Sequence, residues 1–191
     1  MTDRYPLAEL DQLPDDLRER IVAEQEKAGF VPAVFLMFGR RPAEWRAFFA
    51  YHDALMEREG SNLSKAEKEM VIVTISGQND CQFCVVAHGA ILRVVKKDPL
   101  IADQVAINHH KADLTPRERA ICDFATTVNL RSPEIGDTDF NALHAHGLDD
   151  EDAWDIISIV GLFGMSNRIA NATDLRPNPE FYLMGRTPRQ M

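Results

Sequence analysis

Residues 69–90 read EMVIVTISGQNDCQFCVVAHGA, and the conformation of the apolar run near their start decides the fold class. MVIVTI is mostly β-branched and would suit a short buried strand. Two features favour a helix: Ser64-x-x-Glu67 just upstream supplies the residues of a capping box, and the segment it introduces is longer than an ordinary strand.

The same punctuation recurs outward from this stretch. Thr115-x-x-Glu118 is a second capping box, so LSKAEKEMVIVTIS and LTPRERAICDFATTV look alike, through an internal repeat or through shared capping chemistry alone. Asp15-Asp16 opens DDLRERIVAEQEKAG, which Gly29 closes. Pro42 suits the first turn of PAEWRAFFAYHDALMERE, and Gly60 is its expected stop. LIADQVAINHHK, Asp137 to His146 and Asp150 to Asn171 read as further helices, the last apolar through its middle and so expected to be central. No Asn-Gly or Asp-Gly hairpin signal is present. The expectation is all-α: one helical-bundle domain over residues 1–191, with an irregular tail from about residue 175.

With 191 residues and 45% apolar side chains, the chain can bury one sizeable core. A formal charge of −9, with scattered positive residues, argues against nucleic acid or an anionic membrane surface as partner. The start, MTDRYPLAELDQLP, lacks the apolar core of a signal peptide, and no stretch has the roughly 18 uninterrupted apolar residues of a membrane span, so the expected location is cytoplasmic. In that reducing setting, two cysteines three apart read as catalytic or metal-binding.

With a helix starting near Asp80 as cap, Cys81, Cys84 and His88 fall within an arc of about 60° at 100° per residue. Phe83 points away, toward the core. The positive end of the helix favours thiolate, which on this ground makes Cys81, nearest that end, the more acidic thiol. His88, one turn after Cys84, is placed to accept or relay a proton, and Glu69 can return on the preceding antiparallel helix to do the same. A zinc site is a rival, using Cys81, Cys84 and His88 with Glu69 or Cys122 as fourth ligand, although structural zinc usually draws paired ligands from two segments. Plain core packing is another. Covalent haem attachment is excluded because Val85, not histidine, follows the second cysteine, and the βαβ pattern of a thioredoxin-like fold is missing.

The spacing Glu69-x11-Cys81-x2-Cys84-x3-His88 resembles the signature of the alkylhydroperoxidase D-like, carboxymuconolactone decarboxylase superfamily. The likeness extends to GFVPAVFLMFGRRP and SNRIANATDL, covers residues of about 20 to 175, and is similar to the subgroup of peroxidase-related enzymes. This resemblance implies an all-helical chain assembled as homodimers, trimers or hexamers, working without a cofactor or resident metal on a small-molecule alkyl hydroperoxide, with an external dithiol as reductant. It also implies the roles: Cys84 attacks the peroxide, Cys81 resolves the resulting sulfenic acid as a disulfide, and Glu69 and His88 move protons. One departure stands out. The best-known peroxidase branch has a histidine directly before the second cysteine, where this chain has Phe83, so slower peroxide turnover is expected. The decarboxylase branch generally lacks the cysteine pair, which disfavours lyase chemistry.

Other residues have simpler readings. His109-His110-Lys111, His144 and His146 lie where cations suit helix C-termini. His52 reads as amphipathic packing, with a place in a pocket wall as the alternative, and Cys122 as core, while Phe35, Phe38, Trp45, Phe48 and Phe49 read as core or subunit interface, with a substrate-lining role as the alternative. Asn167 and Arg168 follow an apolar run and need partners if buried; an oligomer contact and a catalytic role stand equal.

Overall fold

The computed structural model describes residues 4–186, which form ten α-helices and, among the described residues, no strand. They are α1 (Asp15–Ala28), α2 (Ala33–Gly39), α3 (Pro42–Met56), α4 (Lys65–Gln78), α5 (Gln82–Lys96), α6 (Ile101–Asn108), α7 (Pro116–Arg131), α8 (Asp137–His144), α9 (Asp150–Ala172) and α10 (Pro179–Leu183). No helix among the described residues is long and apolar enough to cross a membrane.

The helix at MVIVTI follows from its surroundings. Helix α4 packs against α5, α6, α7 and α9, and its residues from Glu67 to Ser76 are all buried. β-Branching costs a helix a few tenths of a kcal/mol per residue. Burying each Val or Ile side chain returns about 1.5–3 kcal/mol, so burial decides the conformation. α4 is thus as central as α9, whose Trp154 and Met165 reach solvent. Both capping boxes form: Ser64 Oγ accepts from the Glu67 N–H at 3.2 Å while Glu67 accepts from the Ser64 N–H at 2.7 Å, and Thr115 and Glu118 do likewise.

Three boundaries differ from the sequence expectation. α4 runs past the end of LSKAEKEMVIVTIS to Gln78: a Cβ at Gly77 would lie 2.2 Å from the Ala106 carbonyl oxygen, so this glycine lets α6 cross closely. α3 ends at Met56, before Gly60, because the buried Lys68 ammonium donates to the Leu55 and Met56 carbonyls at 2.8 and 3.2 Å and satisfies that end from α4. The tail is not wholly irregular, since α10 forms around Phe181, which meets Phe30 edge-on at 4.8 Å. Buried Arg93 of α5 donates to the Phe181 and Met184 carbonyls at 2.8 and 2.9 Å, which ties α10 to α5. Residues 187–191 of the expected tail lie outside the described residues.

Candidate active site

The site is built on the α4–α5 hairpin. After α4, Asp80 adopts a left-handed conformation, φ 51°, and the Cys81 and Asp80 N–H groups bond back to the Ser76 and Gly77 carbonyls at 2.9 and 3.2 Å. This is the bond pattern of a Schellman helix end. Asp80 therefore closes α4, and the expected cap of α5 shifts by one residue: Cys81 itself is the N-cap, its sulfur 3.4 Å from the Cys84 N–H. With so short a connection the two helices run antiparallel, and Glu69 meets His88 with Oε2 2.8 Å from Nδ1. All four expected residues sit on this hairpin.

The two thiols are electrostatically unlike. The Cys81 thiol is pushed down to about 7, chiefly because the Cys84 thiol donates to its sulfur; burial opposes this, and the Cys84 N–H, the Asn167 amide and the His88 charge add to it. Cys84 is pushed well above the free-thiol range because its proton is held against Cys81 and because it is buried. The acidity of the pair is thus shifted onto Cys81, in accord with the helix-end argument.

Asn167 settles into this site. Fully buried, it accepts from Asn79 Nδ2 at 2.9 Å and donates to Ser76 Oγ at 3.0 Å, while its amide favours the charged form of both sulfurs. Ser166 acts on Cys84 in the same sense. Behind them Asn79, Asn129, Gln78 and Thr126 form a polar chain joining α4 to α7. Nothing in local sequence pattern marks Ser166, whereas Asn167 was visible as a polar residue needing a partner. Arg168 instead turns back to the Gly164 carbonyl at 2.6 Å.

Phe163 supplies a wall. Its ring meets His88 edge-on at 4.7 Å and, at 6.1 Å, His52 of α3. His52 Nδ1 lies 3.0 Å from Asp53 Oδ1, and Arg20 holds the same carboxylate. Burial lowers the His52 pKa, Asp53 opposes that, and the nearby His88 charge lowers it further. His52, expected chiefly to pack, therefore joins a second carboxylate–imidazole pair beside the first. The aromatic set is core, with Phe35 stacked on Phe49 at 4.6 Å and Phe38 on Phe48 at 4.5 Å. Phe83 is buried with Phe30, Met37 and Phe181, facing the core as expected.

Cys122 lies with Met70, Val73 and Leu92, and burial pushes its thiol up to about 12. The rival zinc set does not assemble: among the described residues, the one group of three His, Cys, Asp or Glu donors within 4.8 Å of one another is His109, His110 and Asp123. His109 and His144 do not cap helix ends with their rings but reach carboxylates, Asp123 at 2.8 Å and Asp150 at 2.9 Å. A cavity of about 510 Å³ between α7 and α8, lined by Arg119, Asp123, Phe124 and Asp139 among others, includes none of the four hairpin residues.

Comparison with known proteins agrees with the geometry. The model of the Carboxymuconolactone decarboxylase family matches residues 42–126. The chain is similar to the alkylhydroperoxidase AhpD core, an uncharacterized peroxidase-related protein from Ralstonia eutropha JMP134, at 59% identity over 97% of each chain and a TM-score of 0.95. A peroxidase-related protein from Silicibacter sp. TM1040 is 38% identical over 96% of this chain and 94% of its own, with a TM-score of 0.89. The debrominase Bmp8, in complex with 2,3,4-tribromopyrrole, shares the fold at 20% identity, with 96% of each chain covered and a TM-score of 0.75. No curated protein matches. The helical hairpin with its Glu-Cys-Cys-His spacing and the likeness over nearly the whole chain lead to one conclusion: the protein belongs to the carboxymuconolactone decarboxylase family, among its alkylhydroperoxidase D-like, peroxidase-related members.

Proposed function

We propose that the protein is a thiol-dependent peroxidase, a dithiol oxidoreductase that reduces alkyl hydroperoxides through Cys81 and Cys84. The observation that carries this reading is Cys81 at the N-cap of α5 with its sulfur 3.4 Å from the Cys84 N–H, on the same hairpin as the Glu69–His88 contact of 2.8 Å. Cys84 passes its proton to the Cys81 thiolate it already bonds, and its own thiolate attacks the peroxide oxygen. The O–O bond breaks, Cys84 becomes a sulfenic acid, and the alkoxide takes a proton from the His88–Glu69 pair. Cys81 then attacks the sulfenic sulfur, releasing water and forming the disulfide, which an external dithiol reduces by exchange.

Two arguments support Cys84 as the attacking thiol although Cys81 holds the resting charge. His88 is four residues after Cys84, hence on the same face of α5 and placed to meet the departing alkoxide. A thiolate of higher pKa is also the stronger nucleophile once formed. We place this chemistry in the cytoplasm, in a homo-oligomer of a single-domain chain.

The test follows hydroperoxide consumption with a dithiol reductant in the wild type and in Cys84→Ser, with free thiols counted before and after oxidation. Wild-type turnover with loss of two thiols, absent in Cys84→Ser, is expected. Full turnover in Cys84→Ser overturns the choice of nucleophile; a reversible disulfide without peroxide turnover in either protein makes disulfide exchange the activity.

A further inference from the structure

We propose a second, metal-binding site at the corner between α6 and α7, where His109, His110 and Asp123 form a three-donor site for a divalent transition-metal ion, with zinc as the best fit. His109 and His110 form a short 3₁₀ turn at the end of α6, and Asp123 projects from the middle of α7. His109 Nε2 and His110 Nδ1 lie 2.8 and 3.3 Å from the same oxygen, Asp123 Oδ1, and all three donors fall within 4.8 Å of one another.

The two nitrogen-to-oxygen spacings suit one coordination sphere, and the imidazole nitrogens lie within 4.8 Å of each other. Donors bound at zinc distances stand about 3.4 Å apart at tetrahedral angles and about 2.9 Å apart at right angles. The two imidazole rings lie side by side, centroids 4.0 Å apart and tilted by 41°, and both present a nitrogen to the same Asp123 oxygen. Neutral imidazole nitrogen with carboxylate oxygen suits zinc, nickel or copper(II) better than calcium or magnesium, which take oxygen alone.

The surroundings define what such an ion would do. Arg119 donates to the His109 and Ala112 carbonyls at 2.8 and 3.0 Å, which fixes the turn that presents both rings. The His109 side chain is 6% exposed, but His110 is 63% and Asp123 48% exposed, so the remaining coordination positions face water. The ion would clip the end of α6 to α7, stabilising the folded chain in proportion to its concentration. The site uses none of the dithiol residues, so its failure would leave the peroxidase reading untouched.

Titration of Zn²⁺ into the full chain, with Cys81 and Cys84 oxidised to keep sulfur out of the binding, tests the assignment. One equivalent bound by the wild type with a rise in melting temperature, and neither effect in His110→Ala or Asp123→Asn, is the expected result. His110→Ala alters an exposed side chain and so reports even if Asp123→Asn fails to fold. With Co²⁺ as a spectroscopic probe, visible d–d bands without sulfur-to-metal charge transfer are expected. No binding, equal binding in wild type and His110→Ala, or a sulfur charge-transfer band lost only with the cysteines overturns the site.

Discussion

Cys81 and Cys122 are both free, both fully buried, and opposite in character. Cys122, in mid-helix among Met70, Val73 and Leu92, is pushed up to about 12 by burial. Cys81, equally sealed, falls to about 7 because a thiol, a backbone N–H and an amide all donate toward its sulfur. Burial alone makes a cysteine inert. Donors at a helix start reverse that, and the protein places one example of each on neighbouring helices of its core.

The strongest way to break this contrast is to exchange the two roles. Cys84→Ser should cut peroxide turnover by about 10³-fold or more, whereas Cys122→Ser should stay within about twofold of wild type in the same assay. Next, Glu69→Gln should lower turnover by about 100-fold, because His88 loses its carboxylate partner while both thiols remain; an unchanged rate would mean that the pair is only structural. A sharper probe is the ultraviolet absorbance of thiolate in the reduced protein as pH is varied, which needs no reagent to reach a buried sulfur. A thiolate should appear with a midpoint near pH 7, Asn167→Ala should move that midpoint upward by about one unit through loss of a donor, and Cys122→Ser should leave it unchanged.

Stability should show the same opposition. A depressed Cys81 binds fewer protons folded than unfolded between about pH 7 and the free-thiol range near 8.5, so the reduced protein should gain stability across that window. Raised Cys84 and Cys122 keep their protons after the unfolded chain has lost them, so stability should decline above that range. Denaturant melts of the reduced protein at several pH values check both signs, and in Cys122→Ser the decline should be shallower. The smallest effect is Cys122→Ala, expected to cost about 1 kcal/mol through lost packing, with activity unchanged.

How far this contrast could be read beforehand varies by residue. Glu69, Cys81, Cys84 and His88 were legible because helical spacing and a short turn leave a hairpin few ways to arrange them. The capping boxes at Ser64 and Thr115 were legible for the same reason, being contacts over three residues. The cap of α5 was misplaced by one, at Asp80 instead of Cys81, since an aspartate in the left-handed region looks like an N-cap in sequence. His52, Ser166 and the crossing at Gly77 were not legible as site or packing features, because each depends on a residue far away in the chain.

The sequence by itself determined the all-helical class and the four-residue hairpin, because those rest on periodicity, caps and spacing along a few turns, and its resemblance to a known signature pointed to the family. Tertiary structure alone decided that the Cys84 thiol and Asn167 lie against Cys81, that His52 faces Phe163, and that His109, His110 and Asp123 converge. The physical reason is that burial and hydrogen-bond donors come from helices distant in sequence, and a side chain's charge state follows what surrounds it rather than what precedes it.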